Sequence, residues 1–268
     1  MPRLAAALVA MLAIPTLALA QITVTSGTLL EQASAAGTEY LTQLVLHNPT
    51  STARVARLTP TDYEPPPDGR SETGSPGHHA RSNAQWLHDI PATVTVPPGT
   101  SANVTVRVVV PADGSLIGTY WSAILVETVE DAEPVLRTAT GATRPSLGIT
   151  MRVLYAVQIA THVGDAATAR LGFAAVRSSI DSTGHPVLDL DFLNPGQRGL
   201  RPEIIIELYD IAGDLVSRQK QQRGLLYPGG TLQQHFRFDG LKRGEYTALV
   251  LADAGGSEVF GVQLVLRY

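Results

Sequence analysis

Residues 94–127 read VTVPPGTSANVTVRVVVPADGSLIGTYWSAILVE, and their pattern decides the fold. After the break at Pro97-Pro98-Gly99, Ala102, Val104, Val106, Val108 and Val110 alternate with Asn103, Thr105 and Arg107. Successive side chains of an extended chain point to opposite sides, so this period of two marks a half-buried strand. Pro111 ends it, having no N–H to give to a ladder. Past the Asp113-Gly114 turn, Gly118-Thr119-Tyr120-Trp121 opens a second strand that is apolar on both faces. Such a strand belongs in the middle of a sheet, packed on either side.

Upstream, residues 22–25, 40–47 and 53–61 are predicted strands, the second stopped by the turn-forming pair Asn48-Pro49. Residues 64–80, EPPPDGRSETGSPGHHA, hold too little apolar surface for regular structure and are expected to form a surface loop. Asp62, His78, His79, His88 and Asp89 lie in or near it, but adjacent histidines on a loop make a poor preformed metal site. Downstream, residues 128–146 form another polar connection. Residues 147–159, LGITMRVLYAVQI, then read as one long strand. Leu147, Ile149, Met151, Val153, Tyr155 and Val157 share one side of it, and Arg152, Leu154 and Ala156 the other.

The second half repeats these signals in order. Residues 188–193 run into Asn194-Pro195 as residues 41–47 run into Asn48-Pro49. Tyr227-Pro228-Gly229-Gly230-Thr231 echoes Pro97-Pro98-Gly99-Thr100, and Gly244-Glu245-Tyr246 echoes Gly118-Thr119-Tyr120. Three echoes in one order predict two copies of one module. Many short strands with regular turns and no helical periodicity give an all-β chain of two tandem immunoglobulin-like β-sandwiches. The expected domains are residues 21–160 and 161–268, joined by a short linker at 160–169.

The chain has 268 residues, 44% of them hydrophobic, which is enough for two cores. Its net charge of −4 lacks the concentrated basic patch of a nucleic-acid binder. It has no cysteine, which excludes disulfides, thiolate catalysis and cysteine-ligated metals. Residues 1–20 combine Arg3, an apolar run and a small-x-small pattern, Ala18-Leu19-Ala20, before Gln21. They read as a cleaved secretory signal peptide. The other reading, a membrane anchor, is disfavoured because the run is broken by Pro15 and shorter than the roughly 20 apolar residues of a bilayer span. The expectation is a periplasmic protein without membrane insertion.

No nucleophile elbow, phosphate loop, dinucleotide fingerprint or zinc-binding helix is present. Asp189 and Asp191 share a strand face as a solvent-facing pair would, and His162 and His185 stand as isolated residues near turns. No enzymatic activity, cofactor or metal is expected. That leaves binding through sheet edges, loop tips or a domain cleft, with extended peptides adding a strand to an edge.

An exported twin sandwich with the PPGTSANVTVRVVVP…GTYWSAILVE passage and a long strand ending MRVLY resembles the PapD-like periplasmic pilus chaperones. The resemblance implies a chaperone that binds secreted or fimbrial subunits by strand addition, with an outer-membrane usher as a further partner. It implies Leu147, Ile149 and Met151 as the apolar row of the lent strand, and Arg152 as the anchor for a subunit's terminal carboxylate. The family's second basic anchor has no counterpart here, since residues 22–32 contain no Arg or Lys. A second resemblance is to exported cell-surface proteins whose N-terminal sandwich binds cell-wall components. It implies a non-catalytic structural or adhesive role in the cell envelope.

Overall fold

The computed structural model describes residues 21–64, 72–129, 153–165, 167–222, 224–254 and 259–268. The predicted signal peptide and the predicted site residues Leu147, Ile149, Met151 and Arg152 lie outside them.

The first ten strands are β1 (Thr23–Val24), β2 (Leu29–Ser34), β3 (Glu39–His47), β4 (Arg54–Glu64), β5 (Glu72–Gly74), β6 (Leu87–His88), β7 (Thr93–Val96), β8 (Ser101–Val109), β9 (Gly118–Val129) and β10 (Leu154–Val163). They form two facing sheets. One has the order β1-β3-β8-β6, and the other β2-β10-β9-β4-β5 with β7 also on β4. All pairs are antiparallel except β2 with β10.

The alternation read in residues 102–110 works as predicted. Val104, Val106 and Val108 join Leu44 and Leu46 of β3 in facing Leu58, Ile124, Val126, Val157 and Ile159 across the core. Each such side chain, taken fully out of water, contributes roughly 1.5–3 kcal/mol.

The second sandwich holds β11 (Gly172–Ile180), β12 (Pro186–Leu193), β13 (Glu203–Tyr209), β14 (Leu215–Gln222), β15 (Thr231–Arg237), β16 (Glu245–Asp253) and β17 (Val259–Arg267). Its sheets have the orders β11-β12-β15 and β14-β13-β16-β17. Leu188, Leu190, Phe192 and Phe236 pack against Ile204, Ile206, Leu208 and Val250. The chain is therefore two tandem all-β sandwiches.

Four expectations need correction. The first strand is only two residues long, though Ile22 beside it is buried. A strand not foreseen, β2, follows: its sequence LLEQAS has no alternation, and its hydrogen-bonding partner β10 lies far along the chain. The long strand does not stop at Ile159 but continues to Val163.

The segment 64–80 is not without regular structure either, since β5 pairs with the end of β4. Beyond β5, the Asp62 carboxylate accepts the backbone N–H groups of Gly77, His78 and His79 at 2.9, 2.6 and 2.9 Å, and also the Ser82 hydroxyl. A low-hydrophobicity segment is thus held by charge-assisted hydrogen bonds rather than by apolar burial.

Candidate functional site

Strand β9 takes part in two apolar clusters, the core of the first sandwich and a smaller one at the junction. Its even-numbered residues, Ile124 and Val126 among them, point into the first sandwich. Its odd-numbered residues Trp121 and Ala123 point the other way, yet are also buried. They pack with Tyr63, Ala160 and Tyr227, so the second sandwich covers the outer face of the first. The Trp121 ring stacks on Tyr227 at 4.4 Å and 22°, and His79 lies on the Trp121 ring at 4.8 Å.

Polar contacts fix the same junction. The Trp121 indole donates to the Tyr63 carbonyl at 2.6 Å, and the Tyr227 hydroxyl donates to Gln158 Oε1 at 2.7 Å. The Thr119 N–H donates to the Gln197 carbonyl at 2.8 Å. Gly118, at φ +96°, begins this strand with no room for a side chain, because a Cβ would run into that same Gln197 carbonyl.

His162, read from sequence as isolated, is the centre of a chain of contacts. Its Nδ1 lies 2.8 Å from Thr119 Oγ1, and its Nε2 lies 3.1 Å from Glu31 Oε1. Gly199 of the second sandwich donates its N–H to Thr119 Oγ1 at 2.7 Å, and Arg201 pairs with Glu31. Burial, with the repulsion of Arg198 added, holds the imidazole below its ordinary pKa. The neutral ring then donates from Nε2 to the carboxylate and accepts the Thr119 hydroxyl at Nδ1.

Burial pushes the Tyr227 hydroxyl up, so it stays a donor. For Asp62, burial alone would raise the carboxyl, but the hydrogen bonds from Ser82, His79 and Gly77 outweigh it and hold it below the usual range.

The edge of β10 is covered unevenly. β9 pairs with it along its whole length, from Leu154↔Glu127 to Val163↔Gly118. β2 pairs with its other edge only from Gln158 to Val163. Residues 154–157 have no strand on that second edge among the described residues, and Leu154 is 57% exposed. Just before them, Val153 donates its N–H to the Gln21 side chain at 2.9 Å.

A cavity of about 700 Å³ opens at the junction on the β4 side, away from this edge, lined by Glu64, Glu72, His79, Arg81 and Trp121. Asp189 and Asp191 are not near it. Asp191 pairs with Arg177 at 2.7 and 2.8 Å, and Asp189 with His235 at 2.8 Å, on the outer face of the three-stranded sheet. Among the described residues, no group of three or more His, Asp or Glu is placed to hold a metal ion. No helix among them is long and apolar enough to cross a membrane.

Sequence reasoning missed Glu31, Thr119, His162, Arg201 and Tyr227 as a junction. The one usable signal was the aromatic at Tyr227 beside Pro228, which was read only as a turn marker.

No protein-family model matches the chain, and no curated protein sequence does. Among solved structures, the chain is similar to the class 5 fimbriae chaperone CfaA, at 12% identity over 91% of this chain and 98% of that one, with a TM-score of 0.44. It is similar to the CsuC–CsuE chaperone–tip adhesion subunit complex of Acinetobacter baumannii, at 12% over 91% and 98%, with a TM-score of 0.43. It is similar to the E. coli chaperone DraB, at 13% over 91% and 96%, with a TM-score of 0.42. The fold follows from the strand pairing given above, not from these likenesses.

Proposed function

We propose that this is a non-catalytic, periplasmic chaperone-like protein that binds extended segments of fimbrial or other secreted subunits by β-strand addition. The observation that carries the reading is the edge of β10: β2 stops at Gln158, leaving the stretch 154–157 paired on one side only among the described residues. A sheet edge with free N–H and C=O groups is a template for an incoming strand. Under this reading Leu147, Ile149 and Met151, upstream on the same stretch of sequence, provide the apolar row, and Arg152 takes a terminal carboxylate. The division into domains at residues 160 and 161, and export through a cleaved leader at residues 1–20, belong to the same proposal.

The test is capture from periplasmic extract with the wild-type chain and with Arg152→Glu, read by mass spectrometry. The expected result is recovery of surface or fimbrial subunits by the first and their loss with the second. Recovery of no such subunit by the wild type overturns the reading.

A second reading, an adhesive or structural envelope protein, is favoured by the fixed loop that Asp62 organises. It predicts that Arg152→Glu leaves binding intact, while Asp62→Ala abolishes it.

A further inference from the structure

The two sandwiches treat their last strands differently. In the first, β2 crosses over to lie parallel on the outer edge of β10. In the second, the corresponding early strand, β11, stays with β12 throughout. β17 is therefore paired only with β16 among the described residues, over all nine positions from Val259 to Arg267.

Other edges of this sandwich are guarded. β14 carries Arg218 and Lys220, and β11 carries Arg177. The free carbonyls of His235 and Arg237 on β15 accept the side-chain amides of Gln221 and Gln219. Charges and side-chain caps of this kind keep edges from pairing with other chains. β17 has neither: VFGVQLVL contains no charge and no proline before Arg267. Val259 and Val265 stand on its solvent side, 61% and 60% exposed.

We propose that β17 pairs antiparallel with β17 of a second copy of this chain, about a two-fold axis through Val262. In that register Val259 of each copy lies opposite Val265 of the other, so both exposed valines are covered twice over. Phe260 then faces Leu264, and Gly261 faces Gln263. The alternative centred on Gln263 sets Val259 against Arg267 and Val265 against Gly261, leaving the apolar surface uncovered. The favoured pairing joins the two four-stranded sheets into one and satisfies the edge backbone groups of both copies. It lies on the second sandwich, apart from the β10 edge.

Because the chain has no cysteine, single cysteines report the register directly. Opposed residues of antiparallel strands sit about 4.5–5.5 Å apart between Cα atoms, within disulfide range. A mixture of Val259→Cys and Val265→Cys proteins should give a disulfide-linked dimer under mild oxidation. Either variant alone, and Leu41→Cys as an exposed control on β3, should not. Sedimentation of the wild type should show a dimer fraction that rises with concentration. Val265→Lys, at an exposed position, should abolish it with an unchanged circular dichroism spectrum. A wild type that stays monomeric throughout the micromolar range overturns the proposal. Self-linking of Val265→Cys as strongly as the mixture overturns it too.

Discussion

Asn48 and Asn194 occupy the same corner of the two sandwiches, and both are completely buried. Each donates its backbone N–H to a turn carbonyl: Thr100 for Asn48 at 2.9 Å, and Gly230 for Asn194 at 3.1 Å. Each side-chain amide donates to the carbonyl four residues on, Thr52 or Arg198, and to one across the sandwich, Val96 or Leu226. Each Oδ1 accepts the N–H two residues on, Thr50 or Gly196. The intervening Pro49 or Pro195 has no N–H to offer, which makes that next N–H the one to be satisfied.

The strands that follow the second echo differ. On the outer face of β9, Thr119, Trp121 and Ala123 are buried, whereas Thr247, Leu249 and Leu251 on the outer face of β16 stay partly open. A Cβ at Gly118 would strike the second sandwich, but one at Gly244 would meet only the ring of Tyr246, at 3.6 Å. The modules thus share a folding corner, and the first has given its outer face to the junction.

The largest effect expected comes from making β9 resemble β16. Trp121→Thr removes the central ring of the His79–Trp121–Tyr227 stack and leaves a cavity, for a loss of about 3 kcal/mol. The reciprocal Thr247→Trp, on a partly open face, should stay within about 0.5 kcal/mol. Urea unfolding measures both. Equal costs would mean that the outer face of β9 is no more a core than that of β16.

Next come the corners themselves. Asn48→Ala and Asn194→Ala each remove a completely buried amide and leave the N–H two residues on, Thr50 or Gly196, without its acceptor, at about 2 kcal/mol apiece. Both tryptophans belong to the first sandwich, Trp86 in its core and Trp121 at the junction, so fluorescence follows that sandwich and the junction, while far-ultraviolet circular dichroism follows both sandwiches. Asn48→Ala should shift the fluorescence transition. Asn194→Ala should shift the dichroism first, and should also loosen residues 196–199, which hold Thr119. If only one of the two variants destabilises, the corners are alike in geometry but not in energy.

This contrast also marks how far the sequence could be read. The sandwich pattern and the duplication were legible because alternation at 102–110 and the two Asn-Pro corners are local signals with local causes. The junction was not legible. Trp121 looked like an ordinary core residue, since a two-sided apolar strand does not say what covers its second face. His162 looked isolated because its partners Thr119 and Glu31 are 43 and 131 positions away. β2 escaped because its place is set by β10 rather than by any period of its own. Leu147, Ile149, Met151 and Arg152 rest on resemblance, as they carry no pattern in the sequence that separates a lent strand from a core strand.

The smallest expected effect tests whether the junction, which the second sandwich does not repeat, responds to pH. His162 is held below its ordinary value of about 6.5 mainly by burial, with Arg198 adding repulsion. The unfolded chain therefore binds the proton more readily than the folded one. Stability is fully present above about 6.5 and falls as pH drops below it, until the folded imidazole also protonates. Protonation turns Nδ1 into a donor, so the Thr119 hydroxyl loses its acceptor while still receiving the Gly199 N–H. Glu31 faces the same ring from the other side, but its pairing with the Arg201 guanidinium offsets the support it would give an imidazolium. His79, also held low by burial, contributes in the same direction and keeps part of the slope in any variant at His162. Stability measured from pH 5 to 8 should therefore rise less steeply with pH in His162→Gln than in the wild type. An unchanged slope would place the pH response elsewhere and leave the Thr119–His162–Glu31 chain as packing alone.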